Sequence, residues 1–350
     1  MRFLKIFPSI IITSTLITTV FGEFDNKSKN NVAVYWGQAS AGTQEDLSYY
    51  CDSDDVDIII LSFLNAYPGY NGAPTLSLAT SCFDKYSNGV LDCPDIGDEI
   101  TECQSKGKKI LLALGGQAGV YGFTSDSEAE EFADTLWNLF GEGISETRPF
   151  GNSTIDGFDF DIENKNQVGY VALAKKLQEK FKSSSRDYYL SVAPQCVYPD
   201  ASVSDLMDEI ELDFAFIQFY NNDCSIDGQF NWDTWTEYAT KKSPNKDIKL
   251  YLGLPGSSSA AATGYVDIKS VKTTVQNISS HNNFGGVMLW DVTQAYSNED
   301  SSGDNFAKSV KSTLESNTKK SSKSSGVQLV TPSKTIQVSL LVCLLMVLLG

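Results

Sequence analysis

Asp156-Gly157-Phe158-Asp159-Phe160-Asp161-Ile162-Glu163 sets acidic against apolar side chains in strict alternation from Phe158 onward. Side chains of a strand point to opposite faces in turn, so Asp159, Asp161 and Glu163 share one face and Phe158, Phe160 and Ile162 the other. In a barrel the phenylalanines would pack outward against helices. The three acids would then point inward, successive ones about 6–7 Å apart at a rise of ~3.3 Å per residue. Like charges that close in a low-dielectric space cannot all ionise, so at least one carboxyl must titrate above its ordinary range. Glu163 lies nearest the C-terminal end of the strand, where barrel active sites are built. A carboxylic acid kept protonated near neutrality can donate to a leaving oxygen. Two other readings stand beside this one: an acidic edge strand with its charges in water, and an oxygen cluster suited to Ca²⁺ or Mg²⁺. The acidic run 52–57 lacks the glycine and closing glutamate of a calcium-binding loop and reads as a solvated helix end.

Seven further apolar runs flank the octet, so that the series is 32–36, 58–65, 109–114, 157–163, 188–193, 214–220, 249–254 and 286–290. They are rich in Ile, Val, Leu, Phe and Tyr, and most are too continuously apolar for a sheet with one wet face. They therefore read as parallel strands covered by helices. Residues 127–140 begin with a serine and early acids and place Ala129, Phe132, Ala133, Leu136, Leu139 and Phe140 at helical spacing. Segments 168–181 and 266–278 are of the same kind. Eight strands alternating with helices predict a (β/α)8 barrel, an α/β fold in one domain. A doubly wound open sheet is the alternative, but no GxGxxG follows the first run.

The chain has 350 residues, a net charge of −17 and one histidine, His281. That excess of acid argues against nucleic acid as a partner. A single histidine excludes a His-rich metal centre, and any Ser–His or Cys–His pair would have to use it. His281 sits in a polar turn before the eighth run and reads as a surface residue.

The ends read as processing signals. Residues 1–22 carry Arg2 and Lys5, an apolar stretch and the small residue Gly22, which is the layout of a secretory signal peptide. Residues 338–350 form a short apolar tail, preceded by Ser324-Ser325-Gly326 and a mostly polar spacer. This is the pattern of a glycolipid (GPI) anchor attached near Ser324, with 326–350 removed. A short membrane anchor is the rival reading. Losing Arg2, Lys5 and Lys334 deepens the charge from −17 to −20. The barrel is expected over 23–311, followed by a Ser/Lys/Thr-rich stalk over 312–325. Once Cys343 leaves, Cys51, Cys82, Cys93, Cys103, Cys196 and Cys224 remain, an even number suited to disulfides whose pairing the spacing does not decide. Sequons at Asn26, Asn152 and Asn277 fit a glycoprotein. Together these predict a secreted protein held at the cell surface, on the plasma membrane or the wall.

Asp-x-x-Asp-x-Asp-x-Glu at 156–163 is also the signature of family 18 glycoside hydrolases, the chitinases. Val34-Tyr35-Trp36-Gly37-Gln38 resembles the opening of the plant and fungal class III members. Ser62-Phe63-Leu64-Asn65, Ala193-Pro194-Gln195-Cys196, Gln218-Phe219-Tyr220-Asn221-Asn222, Leu252-Gly253-Leu254-Pro255 and Gly285-Gly286-Val287-Met288-Leu289-Trp290 follow in family order. The resemblance spans roughly residues 30–315, and with its two end signals the chain is similar to the GPI-anchored chitinases of yeast surfaces.

The resemblance implies hydrolysis of β-1,4 bonds in chitin and its oligosaccharides, with retention and no cofactor or metal. The nucleophile would be the substrate's own acetamido oxygen, passing through an oxazolinium ion. Glu163 would be acid and base. Asp161 would hold the acetamido nitrogen, Asp159 would share a proton with Asp161, and Tyr220 would donate to the acetamido oxygen. Trp290 would floor the distorted sugar, and Tyr35, Gln38, Asn65, Gly116 and Gln218 would contact substrate. It also implies the disulfides Cys51–Cys103, Cys82–Cys93 and Cys196–Cys224. Endo-cleavage in an open groove and a monomer are expected. Relatives that bind or inhibit without catalysis usually lack the terminal glutamate. One departure stands out: the third run reads Ala113-Leu114-Gly115-Gly116, whereas the family usually has a serine at the first place. Losing that hydroxyl would raise the Asp159 pKa unless Ser62 or Ser191 substitutes.

Overall fold

A computed structural model describes residues 24–68 and 73–324, with side chains through 318. The expected signal peptide and the tail over 326–350 lie outside the described residues. Among those described, eight parallel strands close a barrel: β1 (Asn31–Trp36), β2 (Ile58–Tyr67), β3 (Lys109–Gly115), β4 (Gly157–Asp161), β5 (Tyr189–Val192), β6 (Phe214–Gln218), β7 (Lys249–Pro255) and β8 (Phe284–Trp290). Each pairs in parallel with the next, and β8 pairs with β1 through Asn31–Gly286 to Val34–Leu289. The ring leaves no sheet edge, which excludes the edge-strand reading of the acidic octet.

Alternation along the strands sorts the core into two shells. Phe158 and Phe160 join the outer one, under the helices, with Leu112, Leu190 and Val192. Ala33, Tyr35, Ile58, Ile60, Leu111, Ala113, Phe214, Phe216, Tyr251 and Met288 fill the interior. Phe24 closes the lower mouth, edge-on to Tyr189 and Phe214.

The helices are α1 (Leu47–Cys51), α2 (Pro94–Ser105), α3 (Asp126–Phe140), α4 (Tyr170–Phe181), α5 (Ser204–Glu209), α6 (Trp232–Glu237), α7 (Ile268–Ile278), α8 (Val292–Ser297) and α9 (Phe306–Ser324). In α3 the buried residues are those the spacing predicts, but the cap is Ser125, whose side chain accepts the Glu128 N–H, and not Ser127. Helix α4 starts at Tyr170 behind a left-handed Gly169, and α7 behind Asp267, which accepts the Ser270 N–H. The three disulfides are Cys51–Cys103, Cys82–Cys93 and Cys196–Cys224.

Two expectations need correction. The helix that closes the domain does not stop at 311, the expected boundary before the stalk over 312–325; residues 312–324 are helical. They continue α9, whose Val310 and Leu314 are buried in the outer shell and whose Asn317 donates to Ser279. The apolar pair at helical spacing docks the helix despite its serine-rich composition. The acidic run 52–57 is also only partly a solvated helix end. Asp52 caps α1, but Asp57 accepts the Val32 N–H and pairs with Lys311 of α9.

Candidate active site

The acidic row points into the barrel and climbs toward the strands' C-terminal mouth. Asp159 is fully buried and Asp161 nearly so, whereas Glu163, two residues beyond the end of β4, is partly exposed. Asp159 lies in register with Ala113 of β3 on one side and Ser191 of β5 on the other. Ser191 Oγ donates to its Oδ1 at 2.7 Å and Tyr35 Oη to its Oδ2 at 2.8 Å. Ser62 instead donates to the Trp36 carbonyl. Of the two serines that could replace the family hydroxyl, Ser191 is therefore the one that does. Both Asp159 oxygens face hydroxyl donors, so Ser191 and Tyr35 fix the orientation of this carboxyl beneath Asp161.

Burial sets the electrostatics. It pushes Asp159 up to about 6, while the hydrogen bonds from Ser191 and Tyr35 pull the other way. Asp161 is driven well above the carboxylate range, by burial first and then by the charges of Glu163, Asp159 and Asp200. Glu163 rises to about 7, again through burial first and then the charge of Asp200. Tyr220, buried against the three acids, is held well above 10 and stays a neutral hydroxyl.

Three side-chain amides line one wall. Gln218 Nε2 donates to Asp161 Oδ1 at 3.1 Å and to the Ala193 carbonyl at 2.9 Å. Gln195 Nε2 donates to Glu163 Oε2 at 3.3 Å and to Gln218 Oε1 at 3.2 Å. Asn222 Nδ2 donates to Gln195 Oε1 at 2.6 Å and to the Tyr220 carbonyl at 3.1 Å. On the opposite side Phe63 stacks on Trp290 with centroids 5.8 Å apart, and Tyr35 meets Trp290 edge-on at 5.5 Å. A Cβ on Gly116 would come within 2.9 Å of the Phe63 ring, and its φ of +83° suits glycine. Gly264, at φ +93°, packs where a Cβ would meet Tyr220 Cα at 2.7 Å.

Several residues expected to touch substrate also brace the protein itself. Gln38 Nε2 donates to the carbonyls of Gly37, Ser62 and Ser77, which ties β1 to β2. Gln218 holds Asp161, and the Gly116 N–H donates to the Asp161 carbonyl at 2.7 Å. Asn65 is partly buried near the end of β2, and Trp290 is partly exposed at the end of β8. Sequence reasoning assigned no role to Gln195, Asn222, Tyr121, Phe63 or Asp200. Gln195, Asn222 and Phe63 stand within the quoted motifs, so the signal was present. Tyr121, whose hydroxyl accepts the Glu163 N–H at 3.0 Å, lies in the two-residue strand Val120–Tyr121 beside the end of β2, which carries no such marker. No group of three or more His, Cys, Asp or Glu able to hold a metal ion occurs among the described residues.

A family model described as glycosyl hydrolases family 18 matches residues 31–264. The chain is 57% identical over 278 residues to a Saccharomyces cerevisiae protein named endochitinase, covering 79% of this chain and 49% of that one. It is 53% identical over 268 residues to chitinase 1 of Candida albicans, at 77% and 56% coverage. The chain thus spans about half the length of these two curated relatives. Among solved structures, the ICChI chitinase from Ipomoea carnea matches with a TM-score of 0.70 at 32% identity, covering 81% of this chain and 99% of that one. The xylanase and alpha-amylase inhibitor XAIP-II from Scadoxus multiflorus matches at 0.67 and 34%, with 80% and 97% covered.

Proposed function

This chain belongs to family 18 of the glycosyl hydrolases, and from that premise we propose that it is a chitinase cutting β-1,4 bonds between N-acetylglucosamine units. The observation that carries the reading is the inward row Asp159, Asp161, Glu163, which ends in a carboxyl lifted to about 7 at the barrel mouth. At that value Glu163 is substantially protonated near neutrality and can act as a general acid.

Glu163 gives its proton to the glycosidic oxygen while the acetamido oxygen of the same sugar bonds to C1 and the C1–O bond breaks toward the departing oxygen. The resulting oxazolinium is opened by water, which returns its proton to Glu163, so configuration is retained. Asp161 faces the acetamido nitrogen and offsets its positive charge. The neutral Tyr220 hydroxyl donates to the acetamido oxygen, and Asp159 tunes the charge of Asp161 from below. Trp290, backed by Phe63, gives the sugar an apolar floor. The absence of an insertion domain among the described residues supports an open groove and endo-cleavage.

A secreted, surface-held monomer completes the proposal. The signals over 1–22 and 324–350, the sequons at Asn26, Asn152 and Asn277, and the disulfides support that location. The likeness to an inhibitor protein favours a second reading, a binding protein without turnover. The joint presence of Glu163, Asp161 and Tyr220 weighs against it. Turnover of chitin oligomers by the wild type and Glu163→Gln separates the two. Cleavage by the wild type alone supports the enzyme; binding by both with cleavage by neither leaves the binding protein.

A further inference from the structure

We infer that Gln195 is a positioning residue for the proton donor, fixing which oxygen of Glu163 carries the proton; this rests on the proposed role of Glu163 as acid. The carbonyls of Ala193 and Tyr220 can only accept hydrogen bonds, so the atoms facing them, Gln218 Nε2 and Asn222 Nδ2, must be nitrogens. Both outer amides are thereby oriented by the backbone. Gln195 lies between them, its oxygen toward Asn222 Nδ2 and its nitrogen toward Gln218 Oε1, so its orientation is fixed from both sides. An amide nitrogen has no lone pair to offer. Glu163 Oε2, 3.3 Å from Gln195 Nε2, must therefore accept in both of its protonation states. A carbonyl oxygen accepts better than the oxygen of an acid hydroxyl, so this contact favours the acid proton on Oε1. The proton leaves from Oε1 to the glycosidic oxygen, and the proton taken from water returns there.

The backbone around Gln195 is built to hold this arrangement. Its N–H donates to Asp200 Oδ2 at 2.9 Å, while Asp200 Oδ1 takes the N–H groups of Ser202 and Val203 at 2.6 and 3.0 Å. Asp200 is itself buried. The Cys196–Cys224 disulfide joins the loops that carry Gln195 and Asn222. Proton location on Glu163 is thus governed by a chain of neutral amides. The titratable groups facing it are Asp161 and Asp159 from β4, Tyr121 after β3, Asp200 after β5 and Tyr220 after β6.

Gln195→Met keeps the length of the side chain and removes the donor. Ionised Glu163 then loses a hydrogen bond that favours its charged form, so the alkaline limb of kcat/KM moves to higher pH. On chitin oligomers kcat falls about tenfold, part of the roughly 10²–10⁴ that a positioned acid supplies, with KM changed by less than about twofold. The deficit shrinks on a para-nitrophenyl chito-oligosaccharide, whose acidic leaving group needs little protonation. Asn222→Ala frees Gln195 Oε1 and gives the same shifts in weaker form, which keeps the test open if the methionine variant does not fold. An unmoved limb, or equal deficits on both substrates, overturns the inference and leaves Glu163 as the acid. Undiminished cleavage by Glu163→Gln would instead remove the reading beneath it.

Discussion

Ser191 donates to Asp159 at 2.7 Å from the adjacent strand, in register with it, while Ala113 faces the same carboxyl from the other side without a hydroxyl. One neighbour has taken over what the family assigns to the other. The bond favours ionised Asp159, so Ser191→Ala should raise that carboxyl above its present value of about 6 and carry the acid limb of kcat/KM upward. Ala113→Ser adds a donor and should move the limb down. A pair of pH profiles decides it, and limbs that coincide with the wild type's would discount the serine.

The alkaline side answers to a different group. Only protonated Glu163 can donate, and its carboxyl titrates at about 7, so kcat/KM should fall as pH rises through that value. A profile flat to pH ~9 contradicts the assignment.

Tyr220→Phe tests the hydroxyl that Gly264 and Asn221 set in place, the latter through its side-chain oxygen, which accepts the N–H groups of Ala262 and Thr263. A hydrogen bond made mainly in the transition state costs kcat more than KM. The expected loss in kcat is about 10²-fold, comparable to removing one oxyanion donor. Steady-state kinetics on chitin oligomers gives the split; a change confined to KM would make Tyr220 a binding residue only.

Helix α9 is part of the folded unit, and Leu314→Ala should show it. Removing a fully buried leucine costs about 2–5 kcal/mol through lost transfer energy and a residual cavity. Denaturant unfolding of the variant measures this, and a loss below ~0.5 kcal/mol would return the segment to the status of a stalk.

The barrel was legible in the sequence because its strands are buried on both faces and punctuated by Gly, Pro and Asn. The acidic row was legible because strand alternation fixes the face of every second residue. What escaped depended on contacts between strands. Gln38 and Gln218 were expected as sugar ligands, and only the closed barrel reveals that their amide nitrogens also satisfy carbonyls and a carboxylate of the protein. Gln195 was quoted within a motif without a role, because only the closed ring brings it against Glu163. The α9 expectation failed for another reason: serine and lysine composition outweighed the apolar pair Val310 and Leu314, whose spacing carries the helix into the core.

The direction of α9 has a geometric consequence. It leaves the upper rim after β8, and Lys311 and Asn317 meet Asn30, Asp57 and Ser279, all at the strands' N-terminal ends. Helix α9 thus runs from the rim that carries Glu163 toward the opposite pole. Asn26, Asn152 and Asn277 sit at that same pole, before β1, before β4 and in the last turn of α7. If the proposed tether and sugar chains are borne there, they would crowd the floor of the molecule and leave the face that carries Glu163 turned away from them.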